Sequence, residues 1–258
     1  MQEDKRPDPK PRKNIHLWQS YLMWFELMEM RKRHLLRISS IQKGKSLMDE
    51  QLEHNFLEYT NLDTLICTAK KTMVNFGVSV GPVWSWITFI RGLGEGSLAA
   101  QLLAQIDDIG KFDTVSKLWR FAGQAVIDGK AETNTPGQKS SMNNKLRGIC
   151  WNIGEQFVKQ QTPLYVDIYY SEKERQRILH PDVVCKTCTS ELAFEVPWDD
   201  CPNKKHKRMY NDGHIHNRAK RKAIKIFLQH LWVNWRELEG LPVSDPYVKA
   251  VLKHTNII

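Results

Sequence analysis

The sequence lacks the features that would place it in a membrane or in a secreted, disulfide-held fold. None of its apolar runs reaches the roughly 18 residues that cross a bilayer. The charged, proline-rich start, MQEDKRPDPKPRKN, is unlike a secretory signal. Cysteine is scarce, at five residues, and an odd number does not suit a disulfide framework. We therefore expect a cytoplasmic protein without a membrane partner.

Alternation of apolar and polar residues, the pattern of a half-buried strand, is also rare, and no internal repeat is visible. Helical spacing is common instead. Apolar residues recur at helical intervals over 17–38, and again from Leu52 to Met73 after a break at Gly44 and a helix start at Ser46 with Asp49. The sequence thus predicts a mainly α fold, beginning with an arm of two long helices whose apolar stripes belong to the core.

Positive charge, +9 in total at pH 7, is concentrated in two segments. Residues 1–45 hold eleven Lys and Arg against five Asp and Glu, and residues 202–226 hold nine against one. Local basic patches are typical of proteins that bind a polyanion. We predict DNA as the partner, with structured RNA as the alternative. The alternative is that each cluster of charged residues forms only a solvent-exposed surface without a binding role.

Glycines cluster in a short turn, Gly92-Leu93-Gly94-Glu95-Gly96, between an apolar stretch and the strong helix formers of 98–106. A helix, a tight glycine turn and a second helix form the helix-hairpin-helix pattern. Glycine lets backbone N–H groups approach a phosphate closely, and the second helix adds the positive end of its dipole. Gly92, Gly94 and Gly96 are therefore predicted to bind nucleic-acid backbone. The alternative is an αα-hairpin whose glycines serve only as caps.

A polar loop rich in Pro and Gly is predicted over 127–144, after a short helix at 112–125. Helices are expected to follow over Lys145–Gln160 and 163–178. The loop and the start of the next helix carry three basic residues that we predict to contact phosphate, namely Lys139, Lys145 and Arg147.

The segment CKTCTSELAFEVPWDDCPNKKH holds three of the five cysteines. Two close pairs of soft ligands separated by a loop are typical of a structural zinc site. The intervening ELAFEV is expected to form a strand. The sequence predicts Zn²⁺ on Cys185, Cys188, Cys201 and His206, with His214 or His216 as alternatives for the fourth ligand. A CxxC pair without metal is the alternative for the whole motif.

Basic residues recur at helical spacing directly after this segment. Arg218, Arg221, Lys222 and Lys225 stand at i, i+3, i+4 and i+7, and the apolar residues of the same helix lie on a different side. Such a stripe offers several phosphate contacts, and a bound metal would fix the loop beside it. These four residues complete the predicted nucleic-acid site.

The run GLGEGSLAAQLLAQIDDIGKFDTVSKLWRFAG resembles the C-terminal domain of the DEDD-type insertion-sequence transposases, the recombinases that use a bridge RNA. The likeness continues at 143–147, where NNKLR is similar to the family's GN-x-x-LR step, and at 218–232, which is similar to its closing basic helix. It covers about 77–235, with the metal segment as an insertion. The arm over 17–75 is similar to the family's coiled-coil segment. The resemblance implies DNA recombination and a bacterial, phage or mobile-element origin.

Two departures from the family argue against catalysis. Residues 1–76 contain no counterpart of the family's nuclease domain, which carries four acidic metal ligands. The stretch 123–130 lacks the family's nucleophilic serine. Ser140 and Ser141 are the remaining candidate nucleophiles, and strand transfer needs such a hydroxyl beside the scissile phosphate.

The expected organisation has five parts, a flexible basic arm (1–15), a helical arm (16–76), a helix-hairpin-helix domain (77–180), a zinc-ribbon-like insertion (181–216) and a closing basic helix with its tail (217–258). The predicted function is non-catalytic binding of nucleic-acid backbone by a transposase-derived protein. A compact recombinase using Ser140 or Ser141 and a dimeric scaffold with a zinc module are the alternatives. Residues 17–75 are the candidate surface for a homo-oligomer.

Overall fold

The structure is a computed structural model that describes residues 11–127, 130–131 and 142–243. Ten α-helices dominate the described chain, and its strands form two short antiparallel pairs. The prediction of a mainly α fold is therefore confirmed. None of the described helices is long and apolar enough to span a bilayer. The chain forms two compact units, one containing the described residues up to Phe89 together with Leu93–Lys111, and the other Ile90–Gly92 and the described residues from Phe112 onward.

The first unit consists of α1 (Ile15–Gln42), α2 (Glu50–Tyr59), α3 (Leu62–Val78), α4 (Pro82–Phe89), α5 (Ser97–Ile106) and a 3₁₀ turn at Ile109–Lys111. Its core lies around α5, in which Ala99–Ile106 are all buried and which packs against α1 and α3. Asp107 ties the start of α1 to the end of α5, because its carboxylate accepts the backbone N–H of Asn14 at 3.0 Å.

The expected second helix of the arm is two helices, which corrects the prediction. Asn61 adopts a left-handed conformation, φ 48°, which breaks the chain direction between α2 and α3, and Asn tolerates this conformation better than most residues. The predicted core stripe is buried in α3, at Leu62, Ile66, Ala69 and Met73. In α2 the prediction was wrong, because Leu52 and Tyr59 are 68% and 85% exposed.

The second unit contains α6 (Val115–Phe121), the strand pair β1 (Val126–Ile127) and β2 (Lys130–Ala131), α7 (Asn144–Lys159), α8 (Tyr165–Leu179), β3 (Val184–Cys185), α9 (Lys186–Leu192), β4 (Arg208–Met209) and α10 (Asp212–Leu238). Val126 pairs with Ala131, and Val184 with Met209. The predicted helices over 112–125, 145–160 and 163–178 correspond to α6, α7 and α8.

Helix α10 is the centre of the second unit and packs against α6, α7 and α8. Trp232 is fully buried, and its Nε1–H donates to the Phe112 carbonyl at 2.7 Å. Gly154 lets α7 approach α10 closely, because a Cβ at this position would lie 2.7 Å from Ile224 Cδ1. The C-terminal half of α10 is therefore anchored in the core, which fixes the direction of its basic N-terminal half.

Candidate metal centre and basic groove

Four predicted metal ligands converge at one point of the second unit. Cys185 ends β3, Cys188 lies in the first turn of α9, and Cys201 and His206 belong to the segment that leads into β4. The Nδ1 atom of His206 lies 3.5 Å from the Sγ atom of each cysteine. Cys201 Sγ lies 3.4 Å from Cys185 Sγ and 3.8 Å from Cys188 Sγ. The four side chains are close enough to bind one metal ion.

A small hydrophobic core surrounds this centre. Val196 and Trp198 pack with the three cysteines, and Val183 covers the cluster. Backbone hydrogen bonds align the segments: the N–H of Cys185 donates to the Val196 carbonyl at 2.8 Å, and that of Trp198 to the Val183 carbonyl at 2.8 Å. Residues 183–209, called the metal module below, thus have few apolar groups of their own and depend on the centre for cohesion.

The predicted strand in ELAFEV is largely a helix end. Helix α9 continues to Leu192, and Ala193 then takes a left-handed conformation, φ 60°, that stops the helix. Only Val196 and its neighbour Pro197 run beside β3, where Pro197 bridges Val184. The reason is that a metal ligand, Cys188, must sit in a helical turn close to Cys185, and the helix is retained past it.

Three sulfur atoms held this close perturb one another's ionisation. Burial opposes ionisation of Cys185, but hydrogen bonds from the Cys188 backbone N–H and from the neighbouring side chains outweigh it and lower the pKa of Cys185 to about 6. The pKa of Cys188 is raised to about 12, first through its hydrogen bond with Cys185 and then through burial. The centre therefore favours a first thiolate strongly and resists a second one unless a cation is present.

The histidine alternatives for the fourth ligand are occupied elsewhere. The Nδ1 atom of His214 accepts the backbone N–H of Tyr210 at 3.1 Å. The Nδ1 atom of His216 hydrogen-bonds the Tyr169 hydroxyl at 2.8 Å. His206 is thus the histidine that the fold places with the cysteines.

A groove of about 400 Å³ runs between α8 and the N-terminal half of α10. The four basic residues predicted on α10 all line it, together with Arg175 of α8. The carboxylate in the groove, Glu172, already accepts two hydrogen bonds from Arg175, at 2.7 and 2.9 Å. The α10 cations that line the groove are Arg218, Arg221, Lys222 and Lys225. The groove, called the basic groove below, therefore carries an excess of positive charge.

The cations of the basic groove repel one another. Burial, followed by the charges of Arg147 and Arg218, lowers the pKa of Arg221. Burial, followed by the charges of Lys222 and Arg221, lowers the pKa of Lys225. Arg147, predicted from the loop region, thus lies near enough to act on Arg221, and the fold brings two separately predicted basic segments together.

Aromatic rings support the cations at both ends of the groove. The ammonium group of Lys225 lies 4.3 Å from the centre of the Trp119 ring, and the Trp119 Nε1–H donates to the Lys225 carbonyl at 2.9 Å. The Arg218 guanidinium lies 5.5 Å from the centre of the Tyr210 ring. These contacts hold the stems of long side chains that would otherwise lose much conformational entropy on binding a ligand.

The predicted glycine turn has a packing role at two of its three positions. Gly96 caps α5 with φ 77°, and a Cβ there would lie 2.9 Å from the Trp84 ring. Gly92, with φ 89°, approaches Gln156 and Gln160 of the second unit. Gly94 is exposed and its neighbour Glu95 pairs with Lys70 at 3.8 Å. A role for these glycines in backbone binding stays a prediction.

Three of the remaining predicted residues are not described by the structure, and a fourth lies at the start of α7. Lys139, Ser140 and Ser141 lie outside the described residues. Lys145 is exposed in the first turn of α7, whose N-cap, Asn143, accepts the Leu146 N–H at 3.0 Å. The sequence reasoning missed Arg175 and Trp119, because only the packing of α8 and α6 beside α10 brings them to the groove.

No family model matches the chain, and no curated protein or solved structure is significantly similar to it.

Proposed function

We propose that this chain binds nucleic acid and holds its phosphate backbone in the basic groove. The proposal rests on the surroundings of the Arg221 guanidinium. This partly buried guanidinium makes no hydrogen bond or ion pair with any described residue, and its neighbours Arg147 and Arg218 are cations. Holding such charges together without an anion is unfavourable, so a bound anion would relieve the repulsion.

Phosphate diesters fit this arrangement well. Arginine donates two parallel hydrogen bonds to phosphate oxygens, and lysine adds point charges on either side. The groove is lined by Arg218, Arg221, Lys222 and Lys225 over roughly two turns of α10, so that one polymer with regularly spaced charges could contact several of them. Contacts of this kind position a nucleic acid without reading its bases. We therefore expect weak sequence preference, with DNA as the first candidate and structured RNA as the second.

Zinc is the ion that we propose for the metal centre. A tetrahedral Zn²⁺ with sulfur ligands at about 2.3 Å and a nitrogen ligand at about 2.0 Å requires S···S and S···N separations of about 3.8 and 3.5 Å. The S···N separations are all 3.5 Å, and of the two S···S separations given above one equals the required value and the other is about 0.4 Å shorter. Four protein ligands fill the coordination shell, so the ion would be structural.

The zinc centre would support the groove through Tyr210. This residue lies between β4 and the N-cap of α10, Asn211, in a left-handed conformation with φ 62°. Its ring stacks on His180 at 3.6 Å, and its N–H donates to His214, which lines the groove. A metal that fixes β4 therefore also fixes the start of α10, from which Arg218 projects.

The likeness to the C-terminal domain of DEDD-type transposases favours the same proposal, since that family acts on DNA. We propose a transposase-derived protein that has kept backbone binding without strand transfer. The basic groove would supply the binding part of such a site, and Ser140 and Ser141 lie outside the described residues.

Salt dependence tests the proposed function directly. Fluorescence anisotropy with a labelled duplex, a single strand, a branched junction and a structured RNA should give affinities that fall steeply between about 50 and 200 mM salt, because each phosphate contact releases counterions. For a duplex, each contact contributes about 0.9 to the slope of log K against log salt. An affinity that stays flat over this range, or no binding to any of the four probes, would exclude the proposal.

A further inference from the structure

Helix α2 has an inverted amphipathic arrangement. Its apolar side chains Leu52, Phe56 and Tyr59 follow one face at i, i+4 and i+7, yet they are 68%, 39% and 85% exposed. The buried residue of this ten-residue helix is a carboxylate, Glu53. Surface helices normally turn their apolar side inward. In α2 one carboxylate, Glu53, is therefore turned inward, whereas Leu52 and Tyr59 face away from the unit.

Specific polar contacts fix this orientation. The carboxylate of Glu53 pairs with His34 Nδ1 and lies 3.4 Å from the guanidinium of Arg37, both on α1. Its hydrogen bond with His34 and the charge of Arg37 keep the pKa of Glu53 low despite burial. The Phe56 ring also stacks on the His34 ring at 4.2 Å. Rotating α2 to bury Leu52 and Tyr59 would break the contacts of Glu53 with His34 and Arg37. The rotation would therefore cost the interactions that compensate for the burial of the Glu53 carboxylate.

The exposed apolar surface extends beyond α2. Leu47 and Met48, just before the N-cap Asp49, are fully and half exposed, and Leu36 of α1 is 61% exposed. Burying these side chains in a partner would remove their apolar surface from water, which is favourable. Scattered exposed leucines are ordinary, but an apolar helix face held outward by a buried ion pair is typical of an interaction surface.

We propose that this face, formed by Leu47, Met48, Leu52, Phe56 and Tyr59, binds a second copy of the chain. Charge supports this choice of partner. Residues 31–45 contain six Lys and Arg and no Asp or Glu, whereas residues 49–58 contain four Asp and Glu and no Lys or Arg. A surface with both signs side by side complements itself across a twofold axis.

The same charges argue against other occupants. Asp49, the N-cap of α2, and Glu50 and Glu58 on the helix would repel a nucleic acid or an anionic lipid surface, and such a partner has no cations to pair with them. Arg33, Lys43 and Lys45 are exposed and have no ion-pair partner among the described residues, so they are available to the acidic helix of another copy. This inference does not depend on the proposed nucleic-acid binding, because it concerns the first unit alone.

The oligomeric state of the nuclease-treated full chain tests the proposal. Light scattering after size exclusion at about 50 µM should give twice the 30.2 kDa mass of the chain. The double variant Leu52→Gln/Tyr59→Gln should weaken the dimer by at least tenfold, which corresponds to about 1.4 kcal/mol. Since both side chains are largely exposed in one copy, circular dichroism of the variant should keep the wild-type helix content.

The variant Phe89→Gln is the matched control, because Phe89 is 91% exposed but lies on α4. It should dimerise like the wild type. If the double variant loses helix content, the single variant Tyr59→Gln takes its place, with a smaller loss of dimer expected. A monomeric wild-type chain at 50 µM, or a folded α2 variant that dimerises as well as Phe89→Gln, would overturn the proposal.

Discussion

The metal centre concentrates thiols and an imidazole, which favour a cation, whereas the basic groove concentrates cations, which favour an anion. In the centre, the ligand atoms of three thiols and an imidazole lie within 4.8 Å of one another, and the hydrogen bond with Cys185, followed by burial, raises the pKa of Cys188. In the groove, Arg218, Arg221, Lys222 and Lys225 lie together, and burial, followed by the charges of neighbouring cations, lowers the pKa values of Arg221 and Lys225. The centre is enclosed by its own small core, whereas the groove is open. If both ligands bind as proposed, the metal would be a permanent part of the fold, whereas the nucleic acid would bind and dissociate.

Removal of the metal should have the largest effect. Structural zinc contributes about 10–16 kcal/mol to the folding of zinc-finger peptides, and the metal module has few other apolar contacts. The variant Cys185→Ser should lose its zinc, and the backbone N–H groups of Cys185 and Lys186, which now donate within the module, should exchange rapidly with deuterium. Metal analysis should find about one zinc per wild-type chain.

The exposed Cys67 offers the control for this experiment, since Cys67→Ser changes a thiol outside the centre. This variant should keep its zinc and its exchange protection. A Cys185→Ser chain that remains fully protected would mean that the centre does not hold the module together.

Neutralising Arg221 should affect binding and stability differently. The variant Arg221→Gln should bind nucleic acid about 10–100-fold more weakly, because a charged hydrogen bond contributes about 1.5–3 kcal/mol. The free chain should not lose stability, since the change relieves repulsion from Arg147 and Arg218. Anisotropy and urea unfolding measure the two effects. Lys71→Gln removes a positive charge from α3, where Lys71 is exposed, and should change binding far less.

Small anions should stabilise the groove to a lesser degree. Phosphate or sulfate at about ten times its dissociation constant would add about 1.4 kcal/mol, or about 2–4 °C in Tm for a chain of this size. Because these anions also stabilise proteins generally, the comparison is with the double variant Arg221→Gln/Lys225→Gln under the same conditions. An equal rise in Tm for both proteins would contradict a specific anion site.

Protonation of His214 should give the smallest effect. Burial, followed by the charge of Arg218, lowers the pKa of His214, and burial also lowers that of His180. The unfolded chain therefore binds more protons near pH 6.5 than the folded chain, so stability should fall as the pH drops from 7.5 through 6.5. A bound polyanion should raise the pKa values of His214 and His180, so that binding strengthens as the pH falls over the same interval. NMR titration of the histidine ring protons with and without DNA checks this, and His54, exposed in the first unit, is the internal control.

The metal ligands could be predicted because their spacing is local. Cys185 and Cys188 lie within one helical turn, and Cys201 and His206 within one loop, so short-range geometry nearly fixes their meeting. The selection of His206 rather than His214 or His216 as the fourth candidate ligand could not be predicted from local spacing. It depended on Tyr210 and Tyr169, which hydrogen-bond the two alternatives.

The arm illustrates where periodicity fails. Helices α2 and α5 each have ten residues and an apolar stripe, so periodicity predicts that the stripe is buried in both helices. In α5 the stripe and even Gln101 and Gln105 are buried, because α1 and α3 pack on either side. In α2 a contact between Glu53 and His34, nineteen residues apart, decides which side faces inward. Hydrophobic spacing indicates that a face exists, and only long-range contacts show what covers it.

The sequence by itself determined the helical class, the positions of most helices, the three cysteines of the metal centre and the basic stripe of α10, because each depends on residues within a few turns of one another. The tertiary structure decided the rest. It placed Arg175 and Arg147 with the α10 cations, turned the apolar face of α2 outward, and used Gly96 for packing against Trp84. These outcomes depend on contacts between distant segments, whose energies no local pattern encodes.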